Sequence, residues 1–415
     1  MESGSLAGVA PIRVCFPFAG DKVGGSHVSA AKLIQNFDRR RVTPVVVLQQ
    51  TDGALAPFLQ REGIDYLRLP LSDVLSPGPS SLAGLPAYLT RTLPFLRRFL
   101  REGQFDVVHT NDARAHVNWG LAARLAGAKL VWHHRGDPDA KGANFLAPLI
   151  VHQMVTVSRF ARPNRPLFPI RGRVSVIHSP FEQPSLVPDR RSARSALLAE
   201  LGLPPETRVL GYFGNLVERK RPLLFVDIVH RIRQQHPQIP IVGCLFGIAL
   251  AGRPDLEAAA RQRAAALGIG DAIRLMGFRQ PIEPYMAATD ILLVPSIGEP
   301  FGRTLIEAMF LGTPVVAVDH GGNPEAIEDG RTGFLVEPEN ADAFVSPIVR
   351  LLSEPALFAR IGKSAQDAAL RSYSVAGHVE KIMDLYDRIT GRGAREPRRQ
   401  ISKLLVERSD TSHAS

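Results

Sequence analysis

The chain has 415 residues, 45% apolar and 22% charged, an ordinary globular balance at a length beyond what one hydrophobic core organises, so two domains are expected. A net charge of +10 suits phosphate-rich partners, but no helix-turn-helix, zinc finger or aromatic-plus-basic RNA platform accompanies it, and specific nucleic-acid binding is set aside. Cys15 and Cys244 lie in separate apolar runs and read as buried thiols rather than a disulfide, metal site or nucleophile.

The opening MESGSLAGVAPIR has no apolar core, and the longest apolar runs are strand-length. Neither an export signal nor a membrane span is expected, and the chain reads as cytoplasmic. The first predicted strand is IRVCFPF, residues 12–18. The loop after it, AGDKVGGSHVSAAKLIQNF, opens a helix, and Gly24 and Gly25 would let backbone amides approach a phosphate or sugar. Glycines at such a turn ordinarily serve the turn itself, and the loop is neither a Rossmann fingerprint nor a P-loop. After a second strand, VTPVVVLQ, the stretch AYLTRTLPFLRRFLREG has apolar and basic faces. It fits a bilayer surface or, since it runs straight into the strand FDVVHT, a packed helix kinked at Pro94.

The strands FDVVHT and KLVWHH end in His109, His133 and His134, at the edge where a doubly wound sheet presents ligands. Each also reads as a hydrogen-bonded packing residue. Asp137-Pro138-Asp139 has the spacing of a divalent-cation site but lies in the polar loop DPDAKGAN and reads as a turn. Arginines crowd residues 159–173 and 190–194 and the tail from 392 to 403. A solvated face is the common explanation, and contact with an anionic membrane face is the other. The segment FEQPSLVPDRRSAR lacks periodicity, which places a linker at 181–195 between domains at 1–180 and 196–372.

In the second half VLGYFGN, IPIVGCLFG, AIRLMGF, DILLVPS and PVVAVD alternate with helical stretches, as in a second parallel, doubly wound sheet. Behind VLGYF, the loop GNLVERKRP carries Arg219 and Lys220, suited to a diphosphate leaving group, with Arg221 competing for the role of Arg219. Residues 290–338 are the most informative. Glu299 and Glu307 flank the turn GEPFGRT, which leads into the helix LIEAMFLG ending at Gly312. Amides of Gly302, Arg303 and Thr304 at that helix start favour an anion or an electronegative sugar oxygen, and each carboxylate suits vicinal hydroxyls. Thr304 and Glu307 equally fit a helix capping box, and Glu299 an ordinary surface loop. GGNPEAI and DGRTGFLV follow. A last helix, SVAGHVEKIMDLYDRI, precedes a basic tail at 392–415 that reads as disordered.

EPFGRTLIEAMFLGTPVVA, with Gly321, Gly322, Pro324, Glu325 and the DGRTGFLV turn behind it, resembles the GT4-type retaining glycosyltransferases, whose hallmark is a Glu, seven residues and a second Glu. Weaker resemblance covers about 12 to 390. The resemblance implies an α/β protein of the GT-B fold, with two doubly wound Rossmann-like parallel-sheet domains facing a central cleft. The first would take the acceptor and the second the nucleotide-sugar, with the helix at 373–391 packing back on the first. It implies retaining transfer of a sugar from a UDP- or GDP-linked donor to a hydroxyl of a glycan or lipid-linked acceptor, such as a lipopolysaccharide precursor. No metal or other cofactor is implied, Lys220 and Arg219 taking the metal's electrostatic task.

The resemblance also implies roles. His134 would lie near the donor sugar, with His133 and Arg135 as rivals for the same register. Gly24 and Gly25 would face the donor, Glu299 would grip sugar hydroxyls and Glu307 the ribose, while amides of Phe301, Gly302, Arg303 and Thr304 would orient the hexose. The chain departs from the pattern at Asn215, often Arg in the family, and at Arg221-Pro222, where the family has Gly after the lysine. A non-catalytic sugar-nucleotide binder and a nucleotide-sugar epimerase are the alternative classes. The presence of both glutamates and the basic pair favours the transferase.

Overall fold

The computed structural model describes residues 10–76, 84–182, 187–250, 252 and 254–391. The chain divides into one unit running to Pro180 and resuming at Val375, and another from Phe181 to Ser374. The predicted basic tail and residues 183–186 of the predicted linker lie outside the described residues.

The first unit is a seven-stranded parallel sheet: β1 (Ile12–Phe18), β2 (Val42–Leu48), β3 (Tyr66–Arg68), β4 (Val107–Thr110), β5 (Lys129–His134), β6 (Gln153–Thr156) and β7 (Val174–Val176), in the spatial order 3-2-1-4-5-6-7. The central strands are near-continuous apolar runs because helices cover both faces. One layer holds α1 (Gly25–Gln35) and α2 (Leu55–Arg61); the other holds α3 (Leu85–Ala87), α4 (Leu93–Glu102), α5 (Ala113–Ala126) and α6 (Ala147–Ile150). Pro94 does not interrupt its helix: a wider π-type turn over Tyr88–Thr92 joins α3 to α4 and absorbs the missing N–H.

The second unit is a six-stranded parallel sheet: β8 (Arg208–Phe213), β9 (Ile241–Phe246), β10 (Ile273–Gly277), β11 (Ile291–Val294), β12 (Val315–Val318) and β13 (Phe334–Val336), ordered 10-9-8-11-12-13. Its helices are α7 (Arg190–Glu200), α8 (Pro222–Gln235), α9 (Leu256–Ala266), α10 (Glu283–Ala288), α11 (Arg303–Phe310), α12 (Asn323–Ala326), α13 (Val345–Ser353) and α14 (Pro355–Ser372). The two doubly wound bodies are those of the GT-B fold.

The predicted linker differs from the structure. Helix α7 begins at Arg190, capped by Asp189 Oδ1 accepting from the Ser192 amide at 2.8 Å. Arg190 and Arg194 on it are structural, donating to the Thr289 carbonyl at 2.7 Å and pairing with the buried Asp290 at 3.4 Å. A last helix, α15 (Val375–Thr390), packs Val379, Ile382, Met383 and Tyr386 into the core of the first unit beneath α1. Arg41 fastens it through Glu380 at 2.9 Å and Asp387 at 2.8 Å.

Candidate active site

Chain order reverses in the second unit between β8 and β11, the place where a doubly wound sheet opens a crevice at its strand ends. The two loops leaving those strands are stitched together, the Ile297 amide donating to the Arg219 carbonyl at 2.9 Å. That bond brings residues 80 positions apart into one cluster: Arg219 Nη1 lies 2.6 Å and Lys220 Nζ 3.5 Å from Glu299 Oε2. Glu299 is largely buried, with a side-chain exposure of 12%.

Lys220 ends a short 3-10 turn and folds back over Gly214. A Cβ on Gly214 would come within 2.9 Å of Lys220 Nζ, and the residue's φ of +138° is a conformation that side chains resist. Arg221 does not compete for the cluster. It turns away to Glu339 Oε1 at 2.6 Å and stands at φ +52°, which accounts for a glycine at this position elsewhere in the family. Pro222 then opens α8, where a missing N–H is harmless.

The acidic loop is held from its far side. The Gly322 amide donates to the Glu299 carbonyl at 2.8 Å, and the Gly298 amide to His320 Nδ1 at 3.0 Å. A Cβ on Gly322 would stand 2.4 Å from the Pro300 carbonyl oxygen, so the glycine pair at 321–322 is what lets α12 approach this loop. Asn323 is wholly buried beside Gly302, its Oδ1 without a hydrogen-bond partner.

Helix α11 begins at Arg303 with Gly302 as its N-cap, so Thr304 lies inside the first turn and the capping-box reading does not hold. Glu307 pairs instead with Arg303 Nη2 at 3.2 Å, and the Arg303 guanidinium stacks over Phe181 at 4.7 Å. The side chain of Phe301 is buried against Phe181 and Tyr373, leaving its backbone as the part near the loop.

In the first unit the order reverses between β1 and β4, and a cavity of about 460 Å³ opens there, lined by Ala19, Asp21, Lys22, His27, Asp112, Ala113 and Arg114. Gly24 precedes α1, but its amide donates to His27 Nδ1 at 3.1 Å, so Gly25 is the glycine of the pair with no such side-chain acceptor. His27 is held below its usual range by burial, offset by Asp112 and Asp21. Arg114 is paired with Asp21.

The three rivals at the end of β5 separate clearly. His133 is fully buried and belongs to an internal chain in which Tyr386 Oη donates to His109 Nδ1 at 2.5 Å and His109 Nε2 meets His133 Nδ1 at 3.1 Å. Arg135 donates to Ser179 Oγ at 3.0 Å and to His133 Nδ1 at 3.3 Å. His134, 6% exposed, donates from Nε2 to the Asp137 carbonyl at 2.9 Å, which fixes its tautomer. Asp137 Oδ1 accepts from the Asp139 amide at 2.7 Å, a local turn.

Two family models match, "Glycosyl transferases group 1" over residues 207–354 and "Glycosyl transferase 4-like domain" over 24–165. A D-inositol 3-phosphate glycosyltransferase of Streptomyces avermitilis is 31% identical over 385 residues, covering 84% of this chain and 80% of its own. The chain belongs to the group 1, GT4-type glycosyltransferases. This glycosyltransferase also resembles a D-inositol 3-phosphate glycosyltransferase of Nocardiopsis dassonvillei, 26% identical over 89% of this chain and 90% of that one. Among solved structures, Anabaena HepE in complex with UDP-glucose superposes with a TM-score of 0.72 at 24% identity, over 91% of this chain and all of that one. A glycosyltransferase from Rickettsia africae gives 0.74 at 19% identity, over 91% and 98%. These two likenesses bear on the fold.

Sequence reasoning did not find Gly214, His320 or Asn323. Gly214 sits in the quoted VLGYFGN, but nothing in the string tells that Lys220 will cross it.

Proposed function

We propose that this glycosyltransferase takes its sugar from a nucleoside diphosphate donor held in the second unit, and transfers it with retention to an acceptor hydroxyl. The observation that carries the reading is the Arg219, Lys220 and Glu299 cluster at the switch point of that sheet. In the resting protein one carboxylate holds two cations. A diphosphate entering the crevice offers Lys220 and Arg219 a stronger, doubly charged partner and frees Glu299 to accept from sugar hydroxyls. Glu307, one turn into α11 with a third of its side chain exposed, is placed to accept from ribose hydroxyls. Amides at the start of α11 supply donors for the hexose oxygens.

During transfer the bond between the anomeric carbon and the diphosphate oxygen breaks, and the acceptor oxygen bonds to that carbon on the same face. The acceptor proton passes to the departing phosphate oxygen. Negative charge grows on the diphosphate along this path, so Lys220 and Arg219 bind the transition state more tightly than the substrate, which is the source of rate. The two cations take the place of a bound metal. The relatives that act on D-inositol 3-phosphate, and the neighbour seen with UDP-glucose, support a UDP-linked donor and a polyol or glycan acceptor.

The test is thermal stabilisation by UDP-, GDP- and ADP-sugars without metal, in the wild type and in Lys220→Ala and Glu307→Ala. A ligand at 100 times its Kd adds about 2.7 kcal/mol to the native state. The expected result is a rise in melting temperature with one donor class, reduced in both variants. No rise with any donor in the folded wild type would refute the reading.

A further inference from the structure

Two carboxylates of the second unit take part in ion pairs while nearly enclosed, Asp290 at 6% exposure and Glu299 at 12%. They are held in different ways. The Val209 amide donates to Asp290 Oδ2 at 2.7 Å, and Arg194 beside it is itself tied to the Pro205 and Thr207 carbonyls. That is a fixed structural charge. The side chain of Glu299 has no backbone donor among the described residues: Arg219 Nη1 at 2.6 Å and Lys220 Nζ at 3.5 Å hold it, and the Arg219 side chain is 44% exposed.

The loop does not carry Glu299 out to water. Its carbonyl accepts from the Gly322 amide at 2.8 Å, the Gly298 amide donates to His320 Nδ1 at 3.0 Å, and the Ile297 amide donates to the Arg219 carbonyl at 2.9 Å. The backbone around the residue is pinned, and the mobile partners are the two long basic side chains. A charged group left enclosed without partners is strongly disfavoured, far more than a pair that water reaches. A nucleoside diphosphate that draws Lys220 and Arg219 onto its phosphates strands this carboxylate. A nucleotide-sugar draws the same cations and brings hydroxyls to take their place. Glu307 gives the contrast: its pair with Arg303 at 3.2 Å leaves a third of each side chain exposed, so water replaces either partner, and the ribose it would meet is common to donor and product.

We propose that Glu299 makes the site discriminate against phosphates that arrive without a sugar, so that the nucleotide-sugar binds while the product nucleoside diphosphate and free inorganic diphosphate bind weakly. The inference rests on the donor site proposed above and concerns what that site excludes. After transfer the sugar has left with the acceptor, Glu299 takes back Arg219 and Lys220, and the nucleoside diphosphate is released. A carboxylate that kept its cations with the diphosphate bound beside them would hold donor and product alike.

Isothermal titration of the full chain without metal tests it, each donor being compared with its own nucleotide: UDP-glucose, UDP-galactose and UDP-N-acetylglucosamine with UDP, and GDP-mannose with GDP. Sodium diphosphate is the further probe. In the wild type the best-bound donor is expected to exceed its nucleotide by roughly tenfold or more, the effect of one stranded charged group. Glu299→Gln, with its fold checked by circular dichroism, should bind the nucleotide and diphosphate roughly tenfold more tightly and the donor no better than the nucleotide. Glu307→Gln should weaken donor and nucleotide by the same factor and leave their ratio at the wild-type value. Equal affinity for donor and nucleotide in the wild type overturns the proposal without any variant, and so does a folded Glu299→Gln protein in which both gain alike. A wild type that binds no nucleotide and no donor refutes the donor site itself, and this inference with it.

Discussion

Acid should unfold the first unit near pH 5. His109, His116, His133 and His378 are each at most 5% exposed, and burial, the largest cause in every case, holds them below the ordinary histidine range. Arg135 adds to this for all four, and His378 falls to about 3. A base whose pKa is depressed on folding stabilises the native state above its unfolded value and loses that contribution as pH falls below it. With an unfolded pKa of about 6.5, each histidine that stays neutral costs roughly 2 kcal/mol at pH 5, and four cost about 8 kcal/mol. That is the size of a whole domain's stability, typically about 5–15 kcal/mol.

The chain's two tryptophans, Trp119 and Trp132, are both buried in the first unit, and Trp132 stacks on His116 at 4.1 Å. Tryptophan emission between pH 8 and pH 4 therefore reports this unit. The second unit, whose His230, His236 and His320 all reach solvent, should keep its far-ultraviolet dichroism through the transition. Unchanged emission down to pH 4 would refute the reasoning.

Tyr386→Phe should cost about 1–3 kcal/mol by leaving His109 Nδ1 buried without its donor, read from urea unfolding followed by tryptophan emission. Gly322→Ala forces a Cβ to 2.4 Å from the Pro300 carbonyl, so it should lower the melting temperature and displace Glu299, with donor-induced stabilisation reduced as well. Gly214→Ala should weaken donor binding to about the extent of Lys220→Ala, because it strains the backbone and displaces the amine together; a folded variant with wild-type donor shifts would show that Lys220 acts from another position.

Several elements were legible because their signal is local. The run IRVCFPF, buried on both faces, is apolar nearly throughout, KLVWHH carries the apolar core LVW, and the structure places strands at Ile12–Phe18 and Lys129–His134. β13 read only as a turn, since three residues, Phe334–Val336, are too few to show a period. Helix α7 was hidden inside a proline- and arginine-rich stretch because its arginines face Asp290 and the Thr289 carbonyl, partners about a hundred residues away.

The residue types of the site and their order along the chain were determined by the sequence itself, since the glutamate pair, the basic loop and the glycine pair are each contiguous strings. Which groups meet was decided by tertiary structure. The β8 and β11 loops adjoin only because their strands pair in the sheet, so Arg219 rather than Arg221 reaches Glu299. His133 joins the chain to Tyr386 while His134 turns to the Asp137 carbonyl because successive side chains on β5 point to opposite sides, and α15 returns to cover the side of His133.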